Sequence, residues 1–218
     1  MLIERLSELK KTLVEYSNLI EAMLKKSLDG YTKSDKEILN EVIKKYEPKA
    51  NDYELEIDEL CINIIAQYQP NAVDLRTILM ILKINNDLER IGDHAVNIAE
   101  SSLYLMDNPI ADIKTDVGVA GDILINMFKD TMKAFIDKDA RTAKGVNETD
   151  QKINDFRRES IKESIRVLGK NPDIIESGLF FLRITSNMER IGDLITNICE
   201  DIVFMVEGKV IKHNIVDK

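Results

Sequence analysis

Two stretches of this chain carry oxygen-bearing side chains at the spacing that aligns them on one face of a helix. The first reads Asp87-Leu88-Glu89-Arg90-Ile91-Gly92-Asp93-His94-Ala95-Val96-Asn97-Ile98-Ala99-Glu100. The second reads Asn187-Met188-Glu189-Arg190-Ile191-Gly192-Asp193-Leu194-Ile195-Thr196-Asn197-Ile198-Cys199-Glu200. Positions i, i+4 and i+8 stack along one side of a helix. Glu89, Asp93 and Asn97 therefore form a ridge with Glu100 beside it, and Glu189, Asp193, Asn197 and Glu200 form another. Carboxylates four apart repel by roughly a few tenths of a kcal/mol. A cation between them reverses the sign, and oxygen donors suit hard divalent or trivalent ions. The ordinary alternative is that the acids pair with Arg90, Arg190, Arg76 and Arg183 as salt bridges between helices, the usual fate of a charged stripe.

A cation site needs donors from a second helix. Glu47-Pro48-Lys49-Ala50-Asn51 and Asp150-Gln151-Lys152-Ile153-Asn154 each place an acid and an amide oxygen at i and i+4. They share a register, because Asn51-Asp52-Tyr53 matches Asn154-Asp155-Phe156. The candidate metal ligands are Glu47, Asn51, Glu89, Asp93 and Asn97, with Asp150, Asn154, Glu189, Asp193 and Asn197 as their counterparts. A register duplicated over two helices in each copy favours metal over ion pairs. Arg90 and Arg190 point elsewhere on the wheel, and their expected role is to bridge acids on an adjacent helix. Gly92 and Gly192 each cost a helix about 1 kcal/mol relative to alanine, so their matched positions imply a close neighbouring backbone or helix. His94 has no counterpart, since Leu194 occupies the matching position, and a hydrogen-bonded or exposed histidine is expected there rather than a ligand. The Glu-x-x-His pairs of ferritin-like di-iron sites are absent, since Gly92 and Gly192 stand at the third position. Phosphate loops, nucleophile elbows and His-Glu-x-x-His are also absent from the sequence, so an enzyme is not expected.

Long helices must present these residues. Glu189 lies 100 residues after Glu89, the size of a small helical unit, so one unit has been duplicated. Apolar residues recurring at three and four predict a helix over 2–30, stopping at Gly30. Ser34-Asp35-Lys36-Glu37 reads as a capping box opening a second helix that runs to about 68, with a kink near Lys44–Pro48 because Pro48 lies inside it. Asn71 caps a third helix ending near Met106, and Asp107-Asn108-Pro109 divides the units 1–108 and 109–218. The second unit repeats the plan: helices over about 113–136 and 139–168, a stop at Gly169, an Asn171-Pro172-Asp173 start and a last helix ending at Glu207-Gly208. The tail through Ile211-Lys212-His213 is expected to fray. The fold class is all-α, two tandem three-helix bundles of six long helices related by a pseudo-twofold axis.

Composition agrees. Charged residues make up 32% and aromatics 6% of the 218 residues, and Trp is absent, which suits a helical bundle. A net charge of −9 disfavours nucleic acid and anionic lipid, both of which recruit basic faces. The N-terminus lacks a signal-peptide stretch, and no segment approaches the roughly 18 apolar residues of a membrane span. Cys61 and Cys199 stand in apolar helical contexts without a Cys-x-x-Cys, as reduced core thiols of a cytoplasmic protein do. Met127, Met132, Met188 and Met205 read as core filler.

With these residues in view the chain resembles the PhoU family of phosphate-transport regulatory proteins. The resemblance is carried by Gln69-Pro70 with Asp74-Leu75-Arg76, by Glu89-Arg90-Ile91-Gly92-Asp93-His94-Ala95, by Glu189-Arg190-Ile191-Gly192-Asp193 with Asn197-Ile198-Cys199-Glu200-Asp201, and by Glu207-Gly208-Lys209 to Lys212-His213. It implies two three-helix bundles and a regulatory, non-enzymatic role: damping uptake through the phosphate ABC transporter and holding a phosphate-sensing histidine kinase in its repressing state. The transporter ATPase and that kinase are the implied partners, with a homodimer as the working form. It also implies multinuclear iron or zinc on acid-x-x-x-Asp pairs, here Glu47 with Asn51, Glu89 with Asp93, Asp150 with Asn154 and Glu189 with Asp193; manganese, magnesium and nickel stay open. Asn51 and Asn154 depart from the pattern, each removing a charge while keeping an oxygen donor. Two other classes compete: a metal-storage or redox protein with carboxylate-bound iron, and a purely structural helical dimeriser.

Overall fold

The computed structural model describes residues 1–110 and 113–208, and every regular element among them is helical. In chain order these are α1 (Leu2–Lys33), α2 (Lys36–Glu41), a π turn (Val42–Tyr46), α3 (Glu47–Tyr68), α4 (Ala72–Asp107), α5 (Val117–Asp137), α6 (Ala140–Leu168), a 3-10 turn (Pro172–Ile174) and α7 (Ile175–Glu207). With α2, the π turn and α3 forming one rod, this is six long helices in two trios. In the first trio α1 packs on α3 and α4; in the second α5 packs on α6 and α7. Like helices then meet across the trios, α4 on α7 and α1 on α5, as a pseudo-twofold relation requires. The apolar stripe beside each acidic ridge, Leu88, Ile91, Ala95 and Ile98 on α4 and Met188, Ile191, Ile195 and Ile198 on α7, is fully buried. It belongs to one contiguous core drawn from both trios. No helix among the described residues is long and apolar enough to cross a membrane.

Several local expectations are corrected. Helix α1 does not stop at Gly30 but runs to Lys33. Gly30 is there for close packing: a Cβ would stand 2.5 Å from Leu39 Cδ2, and Leu39 is fully buried. Ser34 is not the cap of the next helix. It ends α1 in the left-handed conformation (φ 53°), and Asp35 is the cap, accepting from the amides of Glu37 (3.0 Å) and Ile38 (3.1 Å). Asp35→Ala should therefore lower stability by about 1 kcal/mol in urea denaturation, whereas Ser34→Gly should leave it unchanged or raise it, because glycine relieves the left-handed backbone.

The irregularity expected near Lys44–Pro48 takes the form of the π turn. Pro48 lacks an amide and its ring crowds the carbonyl four residues back; Glu47 instead donates to the Val42 carbonyl, five residues back. Asn71 caps α4 as expected, accepting from Val73 and Asp74. Asp116 caps α5, which starts at Val117 rather than 113, and Asp139 caps α6. Asn171 makes no side-chain cap: Pro172 opens the 3-10 turn, and α7 begins only at Ile175. Gly208 closes α7 at φ 68°. The tail expectation at Ile211-Lys212-His213 lies outside the described residues. Cys61 and Cys199 are buried free thiols, pushed up by burial to about 12 and about 11, and the four methionines named above are buried.

Candidate functional site

In the first trio, three helices converge on one acidic face. Asn85 of α4 donates to the Glu54 carbonyl and to Asp58 Oδ1 of α3, each at 3.0 Å. This ties the Glu54 backbone to α4 one turn before Glu89. Tyr16 of α1 stacks on Tyr53 of α3 with ring centroids 5.7 Å apart, bringing the third helix in. Burial raises the Glu89 carboxyl above its usual range, and the charges of Asp93 and Glu54 and a hydrogen bond shared with Asp93 raise it further. Burial, then Asp93 and Glu100, do the same to Glu47. Tyr16 is fully buried, and its hydroxyl has no hydrogen-bond partner. Its phenol is held protonated by burial first, then by Glu89, Glu54 and Asp93. The face thus gathers the expected Glu47, Glu89 and Asp93, and adds Glu54 and Tyr16. Asn51 is exposed on α3 between Glu47 and Glu54.

The second trio builds the corresponding face from α6 and α7. Asn154 Nδ2 donates to Asp150 Oδ2 at 2.7 Å. The other oxygen, Oδ1, is buried without a partner. Gly192 makes room for it: a Cβ there would stand 2.7 Å from Asp150 Oδ1. The close neighbour behind Gly192 is therefore a carboxylate as well as the Ile153 side chain, while at Gly92 it is the Ile20 side chain, 3.1 Å from a Cβ. Burial raises Asp150, helped by Asp193 and Glu189 and opposed by Asn154. Burial also raises Asp193 against the pull of Arg190.

Asn97 and Asn197 lie elsewhere, at the seam between trios. Arg183 of α7 donates to Asn97 Oδ1 and lies 3.3 Å from Glu100 on α4. Reciprocally, Lys83 of α4 lies 2.5 Å from Asp201 of α7, in a 260 Å³ cleft that Asn197 and Glu200 also line. His94 Nδ1 meets Asn187 Oδ1 at 2.7 Å across the same seam. Burial lowers the imidazole, which the Asn187 bond partly offsets. The bridging role expected of Arg90 is corrected: it stands 3.6 Å from Asp87, one turn away on its own helix. Arg76 lies over the Phe204 ring at 6.0 Å. The salt-bridge alternative is thus realised by Arg183 at Glu100. Among the described residues no ion pair within 4.0 Å takes Glu47, Glu89, Asp93, Asp150, Glu189 or Asp193.

These acids suit a hard cation by donor chemistry. They offer oxygen only, among the described residues none of them takes an ion pair within 4.0 Å, and Asp150 Oδ1 and the Tyr16 hydroxyl are buried and unsatisfied. Among the described residues no three His, Cys, Asp or Glu side chains stand together as a ligand set.

A family model described as the PhoU domain matches the chain twice, over residues 13–102 and 118–202. A phosphate-specific transport system accessory protein PhoU homolog from Aquifex aeolicus is 31% identical over 212 residues, covering 97% of this chain and 96% of the relative. One from Clostridium acetobutylicum is 30% identical, covering 96% and 95%. The crystal structure of PhoU from Pseudomonas aeruginosa superposes with a TM-score of 0.91 at 27% identity, covering 96% of this chain and all of that one. The phosphate transport system regulatory protein PhoU from Streptococcus pneumoniae gives 0.84 at 28%, covering 96% and 99%.

Proposed function

The chain belongs to the PhoU family, and from that membership we propose that it is a negative regulator of phosphate uptake and of the phosphate-starvation response. It acts in the cytoplasm as a homodimeric adaptor between the phosphate ABC transporter ATPase and the phosphate-sensing histidine kinase. The observation that carries this is the end-to-end match to accessory proteins of phosphate-specific transport. A doubled helical scaffold whose exposed faces are acidic, and whose sequence has no nucleophile elbow or phosphate loop, supports docking over catalysis. The exposed side chains of Ile62, Leu79, Ile165 and Leu179 offer apolar contacts to a partner at its surface.

Within this role the acidic faces hold cations: Glu47, Glu89 and Asp93 with Asn51 in one trio, Asp150, Glu189 and Asp193 with Asn154 in the other. A bound divalent ion, or a multinuclear iron or zinc centre, supplies the positive charge that turns carboxylate repulsion into a fixed surface. Asn51 and Asn154 contribute neutral oxygen only, and the packed backbone at Gly192 keeps Asp150 pointed at α7.

Deletion of the gene should raise expression of phosphate-starvation genes in phosphate-replete cells, and a pull-down from such cells should recover the transporter ATPase or the kinase. Unchanged expression together with an empty pull-down would reject the regulatory assignment.

A further inference from the structure

Near the C-terminal ends of α5 and α7 the surface opens into an apolar hollow of 270 Å³. Its wall is Val14 of α1, Phe135 and Ile136 from the last turn of α5, and Met205 from the last turn of α7. Phe135 and Met205 are buried, whereas Ile136 stands exposed. The rest of the lining is cationic. Lys10 and Lys11 lie one turn before Val14 on α1, and Lys138 closes α5 in the left-handed conformation (φ 54°).

The chain itself does little to neutralise this rim. Lys11 stands 3.5 Å from Glu15, and both are well exposed. Among the described residues neither Lys10 nor Lys138 takes an ion pair within 4.0 Å. Burial holds Lys10 below the ordinary lysine range, the charge of Lys138 lowers it further, and Asp74 opposes them in part. Asp137 and Asp139 flank Lys138 in sequence but do not line the hollow, and Asp139 is turned to the amides of Arg141 and Thr142. The cleft at the seam between trios is the contrast, for there Lys83 is set among Asp87, Glu200 and Asp201. In a chain of net charge −9, an apolar hollow whose only charged lining is three lysines is complementary to an apolar group with carboxylates beside it.

Size selects the kind of ligand. Small-molecule sites run to about 300–1,000 Å³, above this hollow, whereas one bulky side chain seated in a pocket is the usual centre of a protein–protein contact. Residues 209–218 follow Gly208, but they carry Lys209, Lys212 and Lys218 against Asp217, the wrong charge for this rim. An anionic lipid surface is disfavoured by the charge of the whole chain.

We propose that the hollow docks an acidic segment of a partner protein, with one bulky apolar side chain against Phe135, Ile136 and Met205 and carboxylates on either side of it at Lys10 and Lys138. This rests on the adaptor reading for the existence of a protein partner, and it adds the chemistry of the segment that partner presents. The carboxylates relieve the repulsion between the two lysines, and the anchor covers Ile136.

The test uses the purified full chain with ¹³C-labelled methionine and isoleucine methyls. The probe is a ten-residue peptide with a single central leucine between paired aspartates and serine elsewhere, raised to about 1 mM. The Met205 and Ile136 signals should shift, while Ile165 on α6 stays unmoved. Replacing the leucine of the peptide by alanine should weaken binding about tenfold, and replacing its aspartates by serine should do the same. Lys10→Glu with Lys138→Glu should weaken the acidic peptide at least about tenfold and accept a version with lysines in place of the aspartates, a rescue that general unfolding cannot give. Should that double variant fail to fold, Lys138→Gly carries the test: it relieves the left-handed backbone and should still weaken binding a few-fold. Unmoved Met205 and Ile136 signals overturn the proposal, whether residues 209–218 fill the hollow or nothing does. Binding that ignores the lysine substitutions overturns it as well. So do shifts caused by vesicles of phosphatidylcholine and phosphatidylglycerol without a response to peptide, which assign the hollow to a lipid surface. None of these results bears on the gene deletion, by which the regulatory reading is judged.

Discussion

Truncating Ile91 to alanine is expected to cost about 2–5 kcal/mol and to unfold both helical trios in one transition. Ile91 sits on α4 with no exposed surface. Helix α4 packs against α1 and α3 of its own trio and against α7 of the other. A cavity at Ile91 therefore opens in the one core that both trios share, and residual cavities are what make large-to-small changes expensive. The core is contiguous from Leu6 on α1 to Met205 on α7, so neither trio has a separate apolar interior to fall back on. Urea denaturation followed by circular dichroism should show one transition with a lowered midpoint and unchanged slope. Native-state hydrogen exchange should lower protection in α5, α6 and α7 as much as in α1, α3 and α4. Protection lost in the first trio and intact in the second would mean that each folds on its own. The equivalent truncation of Ile191 should behave the same way.

What was legible in the sequence follows from how locally each feature is determined. The apolar stripes beside Glu89 and Glu189 are set by helical periodicity, and they are buried where that periodicity places them. Asn71 and Asp139 satisfy amides two and three residues on, so the cap is written in a four-residue window. Ser34 and Asp35 are adjacent, and both favour caps. Which one serves depends on the chain reversing between Lys33 and Lys36, and that forces Ser34 into the left-handed region and hands the cap to Asp35. The partner of Arg90 was likewise a choice between its own helix and a neighbour, and Asp87 was the nearer.

Glu54 and Tyr16 were missed for a different reason. Acid pairs at i and i+4 mark neither residue: Glu54 stands seven from Glu47, and Tyr16 is on another helix and reads as core. The break in the repeat at Glu54 and Arg157, just after the matched Tyr53 and Phe156, was the available signal. Gly92 and Gly192 did announce close neighbours, but that Asp150 would lie behind Gly192 depends on tertiary packing alone.

Mild acidification and cation binding are expected to stabilise the metal-free protein by the same route, and Glu89→Gln with Asp93→Asn should remove much of the proton effect and the first trio's share of the cation effect. Glu47, Glu89, Asp150 and Asp193 all have folded values raised above the usual carboxylate range, with burial the first cause in each. For a raised group the sign is fixed: its stabilising contribution is complete below the unfolded value, about 4, and is lost as pH climbs through the folded value. Between pH 4 and 7 these acids therefore weaken the fold as they ionise. His94 acts oppositely. Burial holds it below its ordinary value, so its contribution is intact above about 6.5 and is lost as pH falls through its folded value. The double variant keeps His94 and removes two charges of the first face, so the difference between wild type and variant isolates the acids. That difference should change by about 1 kcal/mol over the interval, given the solvent screening of half-exposed groups. At pH 7, Mn²⁺ at 100 times its dissociation constant should raise wild-type stability by about 2.7 kcal/mol. The gain should shrink towards pH 4, as protons neutralise the charge that draws the ion, and the double variant should keep only the part that the second trio supplies. Parallel stability curves for the two proteins between pH 4 and 7, unmoved by Mn²⁺, would show that Glu89 and Asp93 are neither coupled to each other nor available to a cation.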